Sequence, residues 1–196
     1  YRDGEKSSPE VRRACGSAVS IVGIIANILL AAFKMLAGIL SGAISITADA
    51  MNNLSDAGSQ VVSLISFKIS GKPADRDHPF GHARIEYVAS MIVSFLVLLV
   101  GFELLTDSIS KIFAPEPTSY SPVVIIILLV SVLIKLWLFF FGRGAAKRIS
   151  SDVVRAAATD SLSDAIATLA VLVSAIISHF SGFDTDAYMG VIVAAI

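Results

Sequence analysis

The stretch ADAMNNLSD, residues 48–56, decides the fold because it places acidic and amide side chains inside a segment with the composition of a membrane span. A second such stretch, TDSLSD at residues 159–164, lies in another apolar segment. Each contains two oxygen-bearing side chains spaced i, i+4, which stack on one face of an α-helix about 6 Å apart. Ionisable groups at membrane depth cost about 3 kcal/mol each or more, and they commonly mark an ion or proton path. The two stretches therefore predict one four-ligand site across two helices, formed by Asn52, Asp56, Asp160 and Asp164.

The composition indicates a membrane protein with several spans. Hydrophobic residues make up 55% of the 196 residues and charged residues only 16%. The mean hydropathy is +0.79, which is high for a soluble domain. The net charge of −1 gives no support for nucleic acid as a partner. Because Cys15 is the single cysteine, an internal disulfide framework and a cysteine-based metal cluster are both excluded.

The apolar runs predict an all-α membrane protein, a bundle of six transmembrane helices. About 30 Å of hydrocarbon requires about 20 predominantly apolar residues per helix. On that criterion the helices fall at residues 16–40, 43–67, 85–112, 123–141, 152–178 and 187–196. We expect residues 1–14 to form a cytoplasmic tail and residues 15–196 to form the transmembrane domain. The last run is too short to cross a bilayer, so we expect the sixth helix to be truncated in this chain.

Lysine and arginine set the expected orientation, because they concentrate in cytoplasmic loops. They cluster before the first predicted helix, after the second and after the fourth, which all lie on one side of the membrane. The N-terminus is therefore expected in the cytoplasm. The opposite side carries Lys111, and the nearby Glu103 and Asp107 are expected to be solvated or salt-bridged to it.

The chemistry of the predicted site follows from antiparallel packing of the second and fifth helices. That packing brings Asn52 level with Asp164 and Asp56 level with Asp160. Three carboxylates and one amide carbonyl can hold a divalent cation, and all four are hard donors with no imidazole or thiolate among them. Such a shell suits Mn²⁺ better than Zn²⁺, which is usually held by nitrogen or sulfur. Affinity alone still favours zinc in most sites, so its rejection depends on geometry and on the missing nitrogen ligands.

Buried ion pairing is the alternative interpretation of these acids, with Lys34 or Lys135 as the partner. Two i, i+4 pairs on two helices would be a costly way to make structure, which favours the ligand interpretation. Lys34 is expected to extend to the headgroups, and Lys135 is expected to face protein or to extend inward. Asp49 lies on the same helix face as Asn52, one turn before it and closer to the outer side of the membrane. It is either a second-shell or exit-path carboxylate or a partner for a neighbouring helix.

The charged loop after the second predicted helix offers a second candidate site. Its sequence DRDHPFGH, residues 75–82, has two histidines at i, i+4 and a carboxylate three residues before the first. Asp75, His78 and His82 could therefore bind a divalent metal at the cytoplasmic mouth. The alternative is that the histidines order or cap the loop.

These residues carry a resemblance to the cation diffusion facilitator family of divalent-metal/proton antiporters. The resemblance covers the turn-rich segment 40–50, the paired ligands on the second and fifth helices, and the loop PADRDHPFGHARIE at residues 73–86. It implies a homodimer with six helices per subunit, a transport site between the second and fifth helices, and a cytoplasmic domain that follows the sixth helix and is absent from this chain. Zinc-transporting members carry histidine where this chain has Asp160, and often where it has Asn52. The combination here is similar to that of manganese-exporting members.

The resulting functional hypothesis is a secondary active transporter in a bacterial plasma membrane. It would export Mn²⁺ from the cytoplasm in exchange for protons by alternating access, with no prosthetic group. Zinc, iron or cobalt export by the same family is the first alternative, and a non-transporting membrane metal sensor or partner subunit is the second. An enzyme is not expected, because an intramembrane metallohydrolase needs a general base and usually histidine at an open zinc position.

Overall fold

The computed structural model describes residues 9–70, 84–115, 118–150, 152–181 and 185–195. Within these ranges the chain is almost entirely α-helical and contains no strand, so the all-α prediction is confirmed. The helices in chain order are α1 (Pro9–Ser41), α2 (Ile44–Ser70), α3 (Arg84–Phe113), α4 (Pro122–Ile149), α5 (Asp152–Ser181) and α6 (Asp186–Ala194).

Three segments within these helices are long and apolar enough to cross a membrane: Ala14–Ser41, Pro122–Ile149 and Val154–Phe180. They belong to α1, α4 and α5. Large apolar side chains are exposed along them, among them Phe33 on α1 and Trp137 on α4. An apolar exterior of this kind is favourable in contact with lipid and unfavourable in contact with water. A crossing by all six helices stays a prediction.

A tight turn joins α1 to α2 and makes an antiparallel hairpin of the two helices. Gly42 adopts φ 67°, a left-handed conformation that glycine reaches without steric penalty. The Ser41 hydroxyl donates to the Ala37 carbonyl at 2.8 Å and accepts from the Ala43 amide at 3.2 Å. These bonds satisfy backbone groups that the two helix ends leave unpaired. We call this part of the molecule, around Gly42, the turn end of the bundle.

The α4 helix continues beyond its predicted end at Phe141 and reaches Ile149, where Ser150 closes it in a left-handed conformation. Gly142 does not break the helix, and it packs directly on α5. A Cβ atom at this position would lie only 3.0 Å from the Ala158 Cβ. Small residues let two membrane helices approach closely, and this contact explains a glycine that the sequence suggested as a helix stop.

The apolar core lies toward the turn end, between α1, α2, α4 and α5. Its fully buried members include Ala37, Ile46, Leu128 and Val171, one from each of these helices. The α4 and α5 helices pack along each other, as do α1 and α2. This packing holds the polar faces of α2 and α5 together in the interior of the bundle.

Candidate metal site

Three carboxylates meet between α2 and α5. Asp56 comes from α2, and Asp160 and Asp164 come from successive turns of α5. Each contributes one oxygen, and these three oxygens lie within 4.8 Å of one another. Asp164 is buried, Asp56 is partly buried and Asp160 is exposed. The cluster therefore has a closed side at Asp164 and an open side at Asp160.

Asn52 joins the cluster from the turn of α2 that precedes Asp56. Its amide nitrogen donates a 2.8 Å hydrogen bond to Oδ1 of Asp164. Asn52 is therefore level with Asp164, as expected for antiparallel packing of the two helices. The bond uses the nitrogen, so the carbonyl oxygen is the atom of Asn52 with which a cation could be held. All four residues of the predicted transport site thus lie together in the structure.

Lys135 of α4 completes the cluster with a positive charge. Its side chain is fully buried, and its ammonium donates to Oδ2 of Asp56 at 3.2 Å and to Oδ2 of Asp164. The interpretation of these acids as metal ligands and not as ion-pair partners of Lys135 was therefore incomplete, because Asp56 and Asp164 do form ion pairs with it. A lysine in the middle of a strongly apolar helix was the available signal, since a charge at that depth requires a partner.

Lys34 does not extend to the headgroups, and that prediction is wrong. The side chain is fully buried, and its ammonium lies 2.8 Å from Oδ2 of Asp49 and donates to the Thr168 hydroxyl at 2.8 Å. Thr168 in turn donates to Oδ1 of Asp49 at 3.2 Å. A charged partner inside the bundle makes burial of this ammonium feasible without contact to water. Asp49 consequently bonds to neighbouring helices, which was one of its two expected roles.

A third buried pair lies at the turn end and was missed in the sequence. Lys111 of α3 donates to Oδ2 of Asp186 at 2.9 Å and to the Gly42 carbonyl at 2.8 Å. Glu103 and Asp107 are both exposed, which agrees with the first of their two expected roles, solvation, and not with pairing to Lys111. Lys111 is nearly fully buried, so the internal carboxylate replaces the water that a surface lysine would have.

Asp186 also holds the first turn of α2. It accepts hydrogen bonds from the Ile44 amide at 2.8 Å, from the Ser45 amide at 3.2 Å and from the Ser45 hydroxyl. The Tyr120 hydroxyl donates to it at 3.2 Å. Unpaired amides at a helix N-terminus attract a carboxylate. The start of α2 lacks an acidic residue of its own, which was the one hint that a distant carboxylate would serve there.

The predicted loop site of Asp75, His78 and His82 lies outside the described residues. It stays a prediction. Among the described residues, the group that could hold a metal consists of Asp56, Asp160 and Asp164.

A helical bundle with a carboxylate cluster inside a membrane-spanning region is typical of proteins that move cations across membranes. The family model described as the cation efflux transmembrane domain matches residues 20–196, and the chain belongs to the cation efflux family. The expected resemblance is thereby confirmed. The family consists of transporters and not of enzymes.

Several curated relatives resemble this chain at about the same level. The manganese efflux system protein MneS of Bacillus subtilis is 32% identical over 165 residues, which cover 84% of this chain and 57% of MneS. MneP, a manganese efflux system protein of the same organism, is 30% identical over 182 residues, 91% of this chain and 61% of MneP. The magnetosome protein MamB of a Magnetospira species is 31% identical over 171 residues, 87% of this chain and 58% of MamB. This chain thus spans about three fifths of the length of these relatives.

Proposed function

We propose that this chain forms the membrane part of an exporter that moves Mn²⁺ out of the cytoplasm in exchange for protons. The observation that carries the proposal is the cluster of Asp56, Asp160 and Asp164, with the Asn52 amide beside it. Three carboxylates that face one another between two helices of an apolar bundle, with the single ammonium of Lys135 beside them, favour a site for a further cation.

The choice of metal rests on the donor atoms. Carboxylate and carbonyl oxygens suit manganese, whereas zinc sites usually contain histidine nitrogen or cysteine sulfur. None of the four residues is a histidine or a cysteine. Two relatives that are named manganese efflux system proteins add support.

The coupling to protons follows from shared atoms. A divalent cation and protons compete for the same carboxylate oxygens, so that binding of the metal releases protons and rebinding of protons releases the metal. Exposure of the cluster first to one side of the membrane and then to the other converts this competition into export against a proton flow. Rocking of the helices around the cluster is the corresponding motion.

The setting of the transporter is part of the same proposal. The basic residues around the start of α1, between the end of α2 and the start of α3, and at the end of α4 favour an N-terminus in the cytoplasm of a bacterial cell. Six spans per subunit, a homodimer and a location in the plasma membrane complete it.

Transport by the full-length protein in proteoliposomes tests this function. A pH gradient is imposed, and manganese movement is followed with a manganese-quenched dye inside the vesicles. We expect flux opposite to the proton flow, and at least about a tenfold loss of flux in Asp56→Asn and Asp164→Asn, which corresponds to about 1.4 kcal/mol per lost ligand charge. Each single variant leaves Lys135 one carboxylate partner, so neither strands a buried ammonium.

Asp107→Asn is the matched control, because Asp107 is an exposed aspartate on α3 outside the cluster. We expect it to transport like the parent protein. Full flux in the two cluster variants would refute the proposed site. Flux that ignores the direction of the pH gradient would refute proton exchange while leaving manganese transport in place.

A further inference from the structure

The ammonium of Lys135 lies where a bound cation would have to lie. It contacts Oδ2 of Asp56 on α2 and Oδ2 of Asp164 on α5, so that one nitrogen bridges the two helices that form the cluster. The lysine side chain is fully buried on α4. Oxygens that hold this ammonium are the same atoms that a divalent cation would take as ligands.

The ammonium and a divalent metal compete for these carboxylates. A manganese ion held directly by carboxylates has ligand distances of roughly 2.0–2.6 Å, the range of hard divalent cations, and it needs the lone pairs to which the ammonium protons point. Two positive charges at that separation also repel each other strongly in a medium of low dielectric constant. Entry of the metal therefore requires the ammonium to move away.

A comparison with Lys34 separates this arrangement from an ordinary structural ion pair. Lys34 faces one carboxylate, Asp49, and the pair has one charge of each sign. Lys135 faces a cluster of three acidic side chains and contacts two of them. One ammonium offsets at most one of the three negative charges of the deprotonated cluster, so the deprotonated cluster keeps an attraction for further positive charge. The four-carbon stem of lysine lets the ammonium withdraw while α4 stays in place.

We propose that Lys135 is a tethered counter-ion, which occupies the cation position of the site when cargo is absent and is displaced by the divalent metal. This inference rests on the proposed function of the cluster as a cation site. In the empty transporter the Lys135 ammonium partly neutralises the cluster, which lowers the free-energy cost of keeping three acids inside an apolar bundle. It also means that the affinity for cargo is weakened by the free energy of breaking the lysine contacts.

Calorimetric titration of Mn²⁺ into the purified full-length protein tests the proposal. A background with His78→Ala and His82→Ala removes the predicted loop site from the titration. In this background we expect Lys135→Met to lower the dissociation constant by at least about tenfold. Lys135→Gln keeps a neutral hydrogen-bond donor, and we expect a change in the same direction.

Lys34→Gln is the matched control, because it also removes a buried ammonium but at a carboxylate outside the cluster. We expect its dissociation constant to change less than that of Lys135→Met, because Lys34 contacts Asp49 and acts on the cluster only through its charge at longer range. Thermal unfolding supplies a second measurement. Without metal, Lys135→Met is expected to melt below the parent protein, and saturating Mn²⁺ is expected to raise its melting temperature by more than that of the parent.

Each outcome has a distinct meaning. If the parent protein binds Mn²⁺ and both Lys135 variants bind it equally or more weakly, the tethered counter-ion is refuted while the proposed function stands. If both Lys135 variants fail to fold even with Mn²⁺ present, the lysine is a structural partner and the inference is wrong as well. If the parent protein itself binds no Mn²⁺, the proposed function fails first.

Discussion

Replacement of Asp186 by alanine tests how much one buried carboxylate contributes to the fold. Asp186 is fully buried and binds Lys111, the first two amides of α2 and the Tyr120 hydroxyl. Asp186→Ala leaves the Lys111 ammonium inside the protein without its carboxylate. Removal of one partner of a buried ion pair destabilises proteins by about 3–5 kcal/mol.

The expected shift in melting temperature follows from that range. For a chain of 150–250 residues, each 1 kcal/mol lowers the melting temperature by about 2–4 °C, so Asp186→Ala should lower it by about 10 °C. Asp186→Asn keeps an acceptor for the amides of α2 and loses the charge that balances Lys111. We expect it to fall between Asp186→Ala and the parent protein.

The assay is thermal unfolding of the purified protein in detergent, followed by circular dichroism at the helix band. Asp107→Ala is the control, because it removes an exposed aspartate from α3, and we expect a change within about 0.5 kcal/mol. A melting temperature for Asp186→Ala within about 2 °C of the parent would show that water replaces the carboxylate at Lys111. The argument from burial would then be wrong.

Two further changes test selectivity and packing. Asp160→His, alone or with Asn52→His, adds nitrogen donors to an oxygen shell, and we expect the ratio of zinc to manganese flux in vesicles to rise. Asp160→His should raise this ratio more than Asn52→His does, because it also removes a negative charge. An unchanged ratio in the double variant would remove donor type as the basis of selectivity. Gly142→Leu forces a side chain against Ala158, because even a Cβ atom at this position would lie 3.0 Å from the Ala158 Cβ. We expect this change to lower the free energy of chemical unfolding by about 1–3 kcal/mol. Unaltered stability would mean that α4 and α5 move apart at this contact without cost.

The helical class and the residues of the cluster could be predicted because both depend on local patterns. Apolar runs of membrane length are visible in the sequence whatever the tertiary structure. The i, i+4 spacing puts Asp160 and Asp164 on one face of any helix. A polar face on an otherwise apolar helix turns toward the bundle interior, so two such faces meet each other.

The lysine partners could not be predicted in the same way. Lys34 shares a buried face of α1 with Asn27, and Lys135 shares one of α4 with Ser131, but such a face does not specify which carboxylate of a neighbouring helix lies opposite the ammonium. The direction in which each ammonium points is set by helix rotation within the bundle. The prediction of headgroup contact for Lys34 failed for this reason, since it assumed that lipid was the nearest polar environment.

The partners of Asp186 could not be predicted from the sequence for a third reason. Its function depends on where α6 begins relative to the first turn of α2, which lies far away in the sequence. The glycine near the end of α4 is similar, because its contact with Ala158 of α5 depends on how the two helices pack. Both features belong to contacts between helices, and no pattern within one helix contains them.

Lys34, Lys111 and Lys135 differ in how far along the chain their carboxylate partners lie, and therefore in when each ion pair can form during synthesis. Lys34 and Asp49 lie on either side of a single turn, so the α1–α2 hairpin can enter the bilayer with its charges already matched. Lys135 follows one of its partners, Asp56, by 79 residues and precedes the other, Asp164, by 29, whereas Lys111 precedes Asp186 by 75. The first pair therefore belongs to membrane insertion, while the last forms only after the ribosome has passed the start of α6. Until that moment the nascent bundle carries an unmatched charge on α3.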